Sequence, residues 1–241
     1  METSHLVIGA GEIGKSIKKA FDGVLDISIR DISSDVVGQF NYLHICFPYF
    51  DGFIKTVEMY DKLYSPKTII IHSTLPVGTI RALGEKAVHI PIRGKHPKLA
   101  ESIKTFRLYI GGNDIDRVVE VAEIFNLINK DTYILDWPPE TTEILKLMDT
   151  SYYAWNILFE KEMHKICHKY NIPFEVVYQD ANRSYNDGYA EMGNLEVVRP
   201  VLDHIKGQIG GHCLVNNAKL FDDTYINKLI LDKNKEFLSE E

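Results

Sequence analysis

The chain has 241 residues, 45% of them hydrophobic and 25% charged, with a formal net charge of −7. That balance fits a globular protein long enough to bury one large core or two modest ones, and the acidic excess excludes a sequence-independent nucleic-acid surface, though not a local basic pocket for an anionic ligand. No apolar run reaches the ~18 residues of a membrane span, Met1-Glu2-Thr3-Ser4-His5 leads into a strand without a secretory pattern, and three cysteines (Cys46, Cys167, Cys213) make no disulfide framework, so a reducing cytoplasm is the expected setting.

Leu6-Val7-Ile8 predicts a short apolar strand, followed by the glycine turn Gly9-Ala10-Gly11-Glu12-Ile13-Gly14 and a helix over about 13–21. Residues 26–30 alternate as a second strand that ends at Asp31, and 42–47 form a third, stopped by Pro48. A helix is predicted over about 52–63, with Phe53, Val57 and Tyr60 on one face. Thr68-Ile69-Ile70-Ile71-His72 reads as a strand buried on both faces of a parallel sheet. Strands at 87–90, 108–110 and 132–135 and a helix at 114–125 complete an alternation that predicts a doubly wound α/β, Rossmann-type domain. Trp137-Pro138-Pro139 breaks this rhythm, so a cofactor-binding domain is expected over 1–137 and a mostly helical second domain over 138–241. The second domain opens with a long connecting helix at about 140–170, whose apolar residues recur every three or four positions from Ile144 to Ile166. Beyond it the reading is a loop-rich stretch with Asn186-Asp187-Gly188, a short helix near 197–204, a glycine-cysteine turn, and a solvated charged tail at 232–241.

The Gly9-x-Gly11-x-x-Gly14 spacing follows a predicted strand and opens a helix, with an acidic residue further on, as a dinucleotide fingerprint requires. Gly9 allows the tight turn, Gly11 lets backbone approach a pyrophosphate, and Gly14 allows close packing of helix on strand. Asp31 is placed to accept both adenosine ribose hydroxyls, which favours NAD over NADP, although Arg30 beside it works the other way. Cys213, following Gly210-Gly211-His212, is an accessible thiol of the kind that acts as a nucleophile. The pair His164 and His168, beside Cys167, has zinc-like spacing, but no second ligand pair accompanies it and no metal is expected.

Two stretches resemble the UDP-glucose/GDP-mannose (nucleotide-sugar) 6-dehydrogenase family. His72-Ser73-Thr74-Leu75-Pro76-Val77-Gly78-Thr79 is similar to its S-T-x-P-V-G-T segment, and Gly210-Gly211-His212-Cys213 to the segment holding its catalytic cysteine. Glu143-Ile144-Leu145-Lys146 resembles its A-E-x-x-K, and Phe159 to Met163 its F-x-N-E-L. The resemblance implies an oxidoreductase that uses NAD to oxidise an alcohol carbon through a cysteine-bound aldehyde. In that scheme Cys213 is the nucleophile, Lys146 stabilises an oxyanion and Thr74 orients a water or hydroxyl; His96, which stands where the family has a glutamate, is a candidate base on the chemistry of its own imidazole. Cofactor contacts are expected from Gly9, Gly11, Glu12, Ile13, Gly14, Asp31, Pro48, Ser73 and Thr74. The partners implied are a small-molecule substrate, a nucleotide sugar or another anion, and a second copy of the chain in a homodimer through the long helix. Plainer roles compete: Lys146 as a solvated lysine, Thr74 as a helix cap, Cys213 as a structural thiol and His96 as an exposed loop residue.

The chain also departs from the family. Four residues after Lys146, where the family has asparagine, stands Thr150, and four after Cys213, where it has aspartate, stands Asn217. Its loop glutamates fall on Ile92 and His96, inside a basic segment with Arg93, Lys95 and Lys98. The residues after the cysteine turn are too few for the family's further nucleotide-sugar-binding domain, so a truncated member is expected. Two alternatives stay open: a dehydrogenase of a small anionic hydroxy acid held by that basic loop, and a catalytically weakened NAD-binding homologue with a regulatory or assembly role.

Overall fold

The computed structural model describes residues 4–31, 36–210 and 213–239, which group into two compact units, 1–147 and 148–241. In the first unit β1 (His5–Ile8), β2 (Ile27–Arg30), β3 (Tyr42–Ile45), β4 (Thr68–Ile71), β5 (Ala87–His89), β6 (Leu108–Gly112) and β7 (Thr132–Ile134) form one sheet in the order β2-β1-β3-β4-β5-β6-β7. The strands up to β5 are parallel; β6 runs antiparallel to β5, and β7 parallel to β6. The doubly wound α/β architecture stands, with one reversal that a helix between two strands cannot announce in sequence.

Helices α1 (Glu12–Ala20), α2 (Phe53–Tyr64), α3 (Thr79–Leu83), α4 (Leu99–Thr105) and α5 (Ile115–Phe125) connect the strands. Side chains alternate across each strand, and the two resulting faces bury separate cores. Val7, Ile70 and Val88 pack with Ile17, Ile103 and Phe125 from α1, α4 and α5. Leu6, Ile8, Leu43, Ile45, Ile69 and Ile71 pack with Phe53, Val57 and Ile80 from α2 and α3. The short helices α3 and α4 are additions to the sequence reading; five and seven residues are too few to show a period.

On the face covered by α5, three buried histidines form a row across adjacent strands. His5 Nδ1 lies 3.0 Å from His44 Nε2, His44 Nδ1 lies 3.0 Å from His72 Nε2, and His72 Nδ1 lies 3.1 Å from the Ile90 carbonyl. A carbonyl only accepts, so the proton of His72 sits on Nδ1 and each ring in turn donates from Nδ1 to the Nε2 of the next. The row climbs two residues per strand, since His5 is in register with Tyr42 and His44 with Ile70.

The long helix α6 (Glu140–Tyr170) starts within the first unit and runs on through the second. The division between the two compact units falls inside this helix, after Leu147, and the first turn of the helix is bonded to the α3 region. In the second unit a π-helical segment (Glu175–Asp180), α7 (Ala181–Glu191), α8 (Cys213–Lys219) and α9 (Tyr225–Glu236) follow. Ala154 and Leu158 of α6 pack with Ala218 of α8, Ile230 of α9, and Ile209 and Phe237. Three expectations are corrected here. The stretch with Asn186-Asp187-Gly188, expected as loop, is helical, and Arg199 holds it by accepting and donating to Asn186 at 2.9 Å and stacking 3.6 Å over Tyr185. The helix expected near 197–204 is instead a short 3-10 turn at Leu195–Val197 followed by extended chain. That chain is pinned by side chains, with His204 Nδ1 2.8 Å from Glu160 and the buried Lys161 donating to the Ile205 carbonyl. The tail expected in solvent carries Phe237, which is 1% exposed and anchors the second core.

Candidate functional site

Parallel strands whose connections leave in opposite directions open a crevice at their carboxyl ends. Here that switch lies between β1 and β3, and it holds the Gly9–Gly11 turn. Gly9 has φ +105°, and a Cβ there would stand 3.1 Å from the Phe47 nitrogen; its own N–H donates to the Arg30 carbonyl at 2.8 Å. Gly14 presses α1 onto β1 so closely that a Cβ would fall 2.0 Å from the Gly9 carbonyl oxygen. Gly11 opens onto free space, and no side chain caps the start of α1. Its first-turn amides and helix dipole therefore suit a phosphate.

A cavity of about 500 Å³ extends from this turn, lined by Gly9, Ala10, Gly11, Arg30, Asp31, Phe47, Pro48, Tyr49, Phe50, Thr56 and Tyr60 among others. Glycine backbone, the Asp31 carboxylate and aromatic rings in one lining suit a pyrophosphate, a ribose and a purine respectively. Of the expected cofactor residues, Gly9, Gly11, Asp31 and Pro48 line the cavity, while Gly14 and Ile13 support it from behind, Ile13 packing on the α1-side core. Glu12, the first residue of α1, pairs with His96 at 2.5 Å, which brings the Arg93–Lys98 loop to the helix start. Ser73 is 2% exposed, and its hydroxyl donates to the Phe47 carbonyl at 2.6 Å, so it shapes the crevice from beneath.

The loop after β4 that carries Thr74 is fastened to the first turn of α6. Buried His89 donates from Nε2 to the Ser73 carbonyl at 3.0 Å, and its Nδ1 takes the hydroxyl of Thr142 at 2.8 Å. The carboxylate of Glu143, fully buried, accepts the N–H groups of Gly78 and Ile80 at 2.6 and 2.7 Å, while Glu140 holds Arg81 at 2.5 and 2.8 Å. Burial pushes the Glu143 carboxyl up, and the Ile80 and Gly78 amides draw it back in part. Lys146, one turn on, is half-buried and close enough for its charge to add to the burial that holds His89 down at about 3. Thr74 and Lys146 thus stand on two segments locked to each other within this unit. Glu143→Ala leaves two amides without their acceptor and is expected to destabilise the chain by about 1–3 kcal/mol in urea unfolding, with Glu143→Gln intermediate.

Ile92, one of the two places for a family glutamate, is 5% exposed and lies in the α1-side core, so no base stands there. In the second unit Cys213 is exposed and opens α8. Its neighbours Gly211 and His212 lie outside the described residues. Two of the positions that depart from the family pattern meet: Asn217 Nδ2 donates to Thr150 Oγ1 at 3.4 Å, with both residues buried. Of the zinc-like histidines, His164 stacks on His204, with centroids 3.5 Å apart and the rings nearly parallel. Sequence reasoning missed His89, Thr142 and the capping role of Glu143; only Glu143 had a signal, its place three residues before Lys146.

No family model matches the chain, and no curated protein sequence matches it. Solved structures do. A UDP-D-ManNAc dehydrogenase from Pyrococcus horikoshii superposes with TM-score 0.75 at 17% identity, over 98% of this chain and 69% of that one. A UDP-glucose dehydrogenase from Pyrobaculum islandicum gives 0.74 at 14%, over 98% and 68%. The Mycobacterium tuberculosis 3-hydroxyisobutyrate dehydrogenase gives 0.71 at 13%, over 98% and 94%. At these identities the likeness is one of fold. No helix among the described residues is long and apolar enough to cross a membrane.

Proposed function

We propose that the chain is an NAD-dependent dehydrogenase that oxidises an alcohol carbon of an anionic small molecule, a nucleotide sugar being the first candidate. The observation that carries this reading is the crevice at the β1/β3 switch, where a glycine cradle, a strand-end carboxylate and an aromatic wall enclose one cavity. The nicotinamide cofactor supplies a hydride acceptor when bound. The chain's own residues do the rest. Gly9, Gly11 and the start of α1 seat the pyrophosphate, and Asp31 accepts the ribose hydroxyls. Lys146 faces the oxygen as charge develops on it, Thr74 orients a hydroxyl or water, and His96, paired with Glu12, takes up the proton lost from the alcohol. Cys213 adds as thiolate to the aldehyde carbon, forming a carbon–sulfur bond while the carbonyl oxygen collects the negative charge.

The outer stripe of α6 supports a homodimer: Tyr152, Trp155, Phe159, Ile166 and Tyr170 recur at helical spacing and stay exposed. The free thiols fit a reducing, cytoplasmic setting.

In a turnover assay with NAD and a panel of UDP- and GDP-sugars, NADH formation is expected, and Cys213→Ser is expected to lower kcat by about a hundredfold or more. NADH formed equally by the Cys213→Ser variant would remove the cysteine-bound step. A second reading, a small hydroxy acid as substrate, draws on the His96–Glu12 bond that seats a basic loop beside the cavity. Organic acids in the same panel separate the two. Binding of NAD with no turnover on any substrate would favour a non-catalytic regulatory or assembly role instead.

A further inference from the structure

Two opposite charges stand side by side at the end of β2, Arg30 and Asp31, and both line the cavity. Successive strand residues point to opposite faces, which sends Arg30 toward α2. There its Nη1 donates to the Tyr64 hydroxyl at 2.6 Å, and that hydroxyl's own proton goes to the Val36 carbonyl at 2.9 Å. The guanidinium carbon lies 5.4 Å from the Tyr60 ring centre and 5.8 Å from that of Tyr64. The guanidinium is therefore mounted on the cavity wall, with its direction set by a hydrogen bond and two aromatic rings. It keeps its charge at every accessible pH, and its planar fork matches a phosphate.

A carboxylate alone at this strand end accepts the ribose hydroxyls and repels a 2′-phosphate, and that is how such a site rejects the phosphorylated dinucleotide. A guanidinium fixed beside it offsets the repulsion and offers donors to the phosphate oxygens. Resting on the dinucleotide reading above, we propose that this cavity admits the 2′-phosphorylated dinucleotide as well as the unphosphorylated one, and that Arg30 sets the ratio between them.

The test is direct binding of NADH and NADPH to the full chain by calorimetry, with the ratio of the two affinities as readout. For the unaltered chain the two are expected within about tenfold of each other, since one charge-assisted contact is worth about that factor. In Arg30→Gln the ratio is expected to shift against NADPH by a further tenfold or more. Asp31→Asn, at an exposed position, is expected to shift it the opposite way. Tyr64→Phe, which releases the guanidinium without emptying the core, is expected to shift it a few-fold against NADPH. NADH binding with NADPH more than a hundredfold weaker overturns the proposal and leaves the dinucleotide reading intact. An Arg30→Gln variant that weakens both by the same factor also overturns it. Binding of neither dinucleotide to the unaltered chain sinks the underlying reading itself.

Discussion

Between pH 8 and pH 5 the chain is expected to lose about 6 kcal/mol of stability or more, a large share of the stability of a typical domain. The cause is four histidines buried in one sheet: His44 and His89 are 0% exposed, and His5 and His72 1%. Burial holds His5 and His72 down at about 4 and His89 at about 3; His44 lies well below its usual range, through burial and then the charges of His72 and His5. Geometry gives the same direction, because the Nε2 of His44 and of His72 already accepts a hydrogen bond, and a proton added there would break the row. Unfolded histidine binds its proton near pH 6.5, while the folded ring stays neutral to about pH 4. The unfolded state therefore holds more protons throughout that window. Stability is full above pH 6.5 and falls as the pH drops toward 4, by about 2 kcal/mol at pH 5 for each of His5, His72 and His89, with His44 acting in the same direction. Thermal melts from pH 8 to pH 5 should show the midpoint falling by roughly 15–25 °C. A midpoint that moves only a few degrees would mean that these rings are not buried neutral.

Two glycines three residues apart are expected to fail in different ways. Gly14→Ala places a methyl group 2.0 Å from the Gly9 carbonyl oxygen and 2.9 Å from Val7 Cγ1, both fixed parts of the sheet and its first turn. A cost of about 3 kcal/mol or more is expected in denaturant unfolding, together with loss of dinucleotide binding. Gly11→Ala meets no atom within 4 Å, so its unfolding midpoint should stay within about 0.5 kcal/mol of the parent. Its methyl group faces the cavity, however, and dinucleotide affinity should fall about tenfold or more as backbone and pyrophosphate are held apart. Equal binding by the Gly11→Ala chain would show that no phosphate sits against that turn.

The first unit was legible because its signals are local and redundant. β-Branched runs such as Thr68–Ile71 can be little else than buried strands, and the glycine spacing with Asp31 carries its own mechanism. The direction of β6 was not legible, since pairing with β5 is a tertiary choice. Nor was the helix around Asn186-Asp187-Gly188, whose turn-forming residues are overridden by Arg199 from a distant stretch. The converse error, a helix expected near 197–204, came from weighing propensity where chain tied down by Glu160 and Lys161 decides the outcome. In the site, the glycine cradle could be read residue by residue. The locking of the Thr74 loop could not, because His89, Thr142 and Glu143 come from separate elements and show their purpose only when folded together.

The imidazole row also bears on how the chain finds its fold. β1, β3 and β4 are rich in interchangeable isoleucine, leucine and valine, so apolar contact alone distinguishes poorly between correct alignment and a neighbouring one. A slip of one residue in any of the three would turn a ring to the far side of the sheet, and a slip of two would part each nitrogen from its mate. The three rings thus act as dowels that only one alignment of the strands can seat. That same alignment sets the crests of β1 and β3 level, which is what gives the glycine turn its opening.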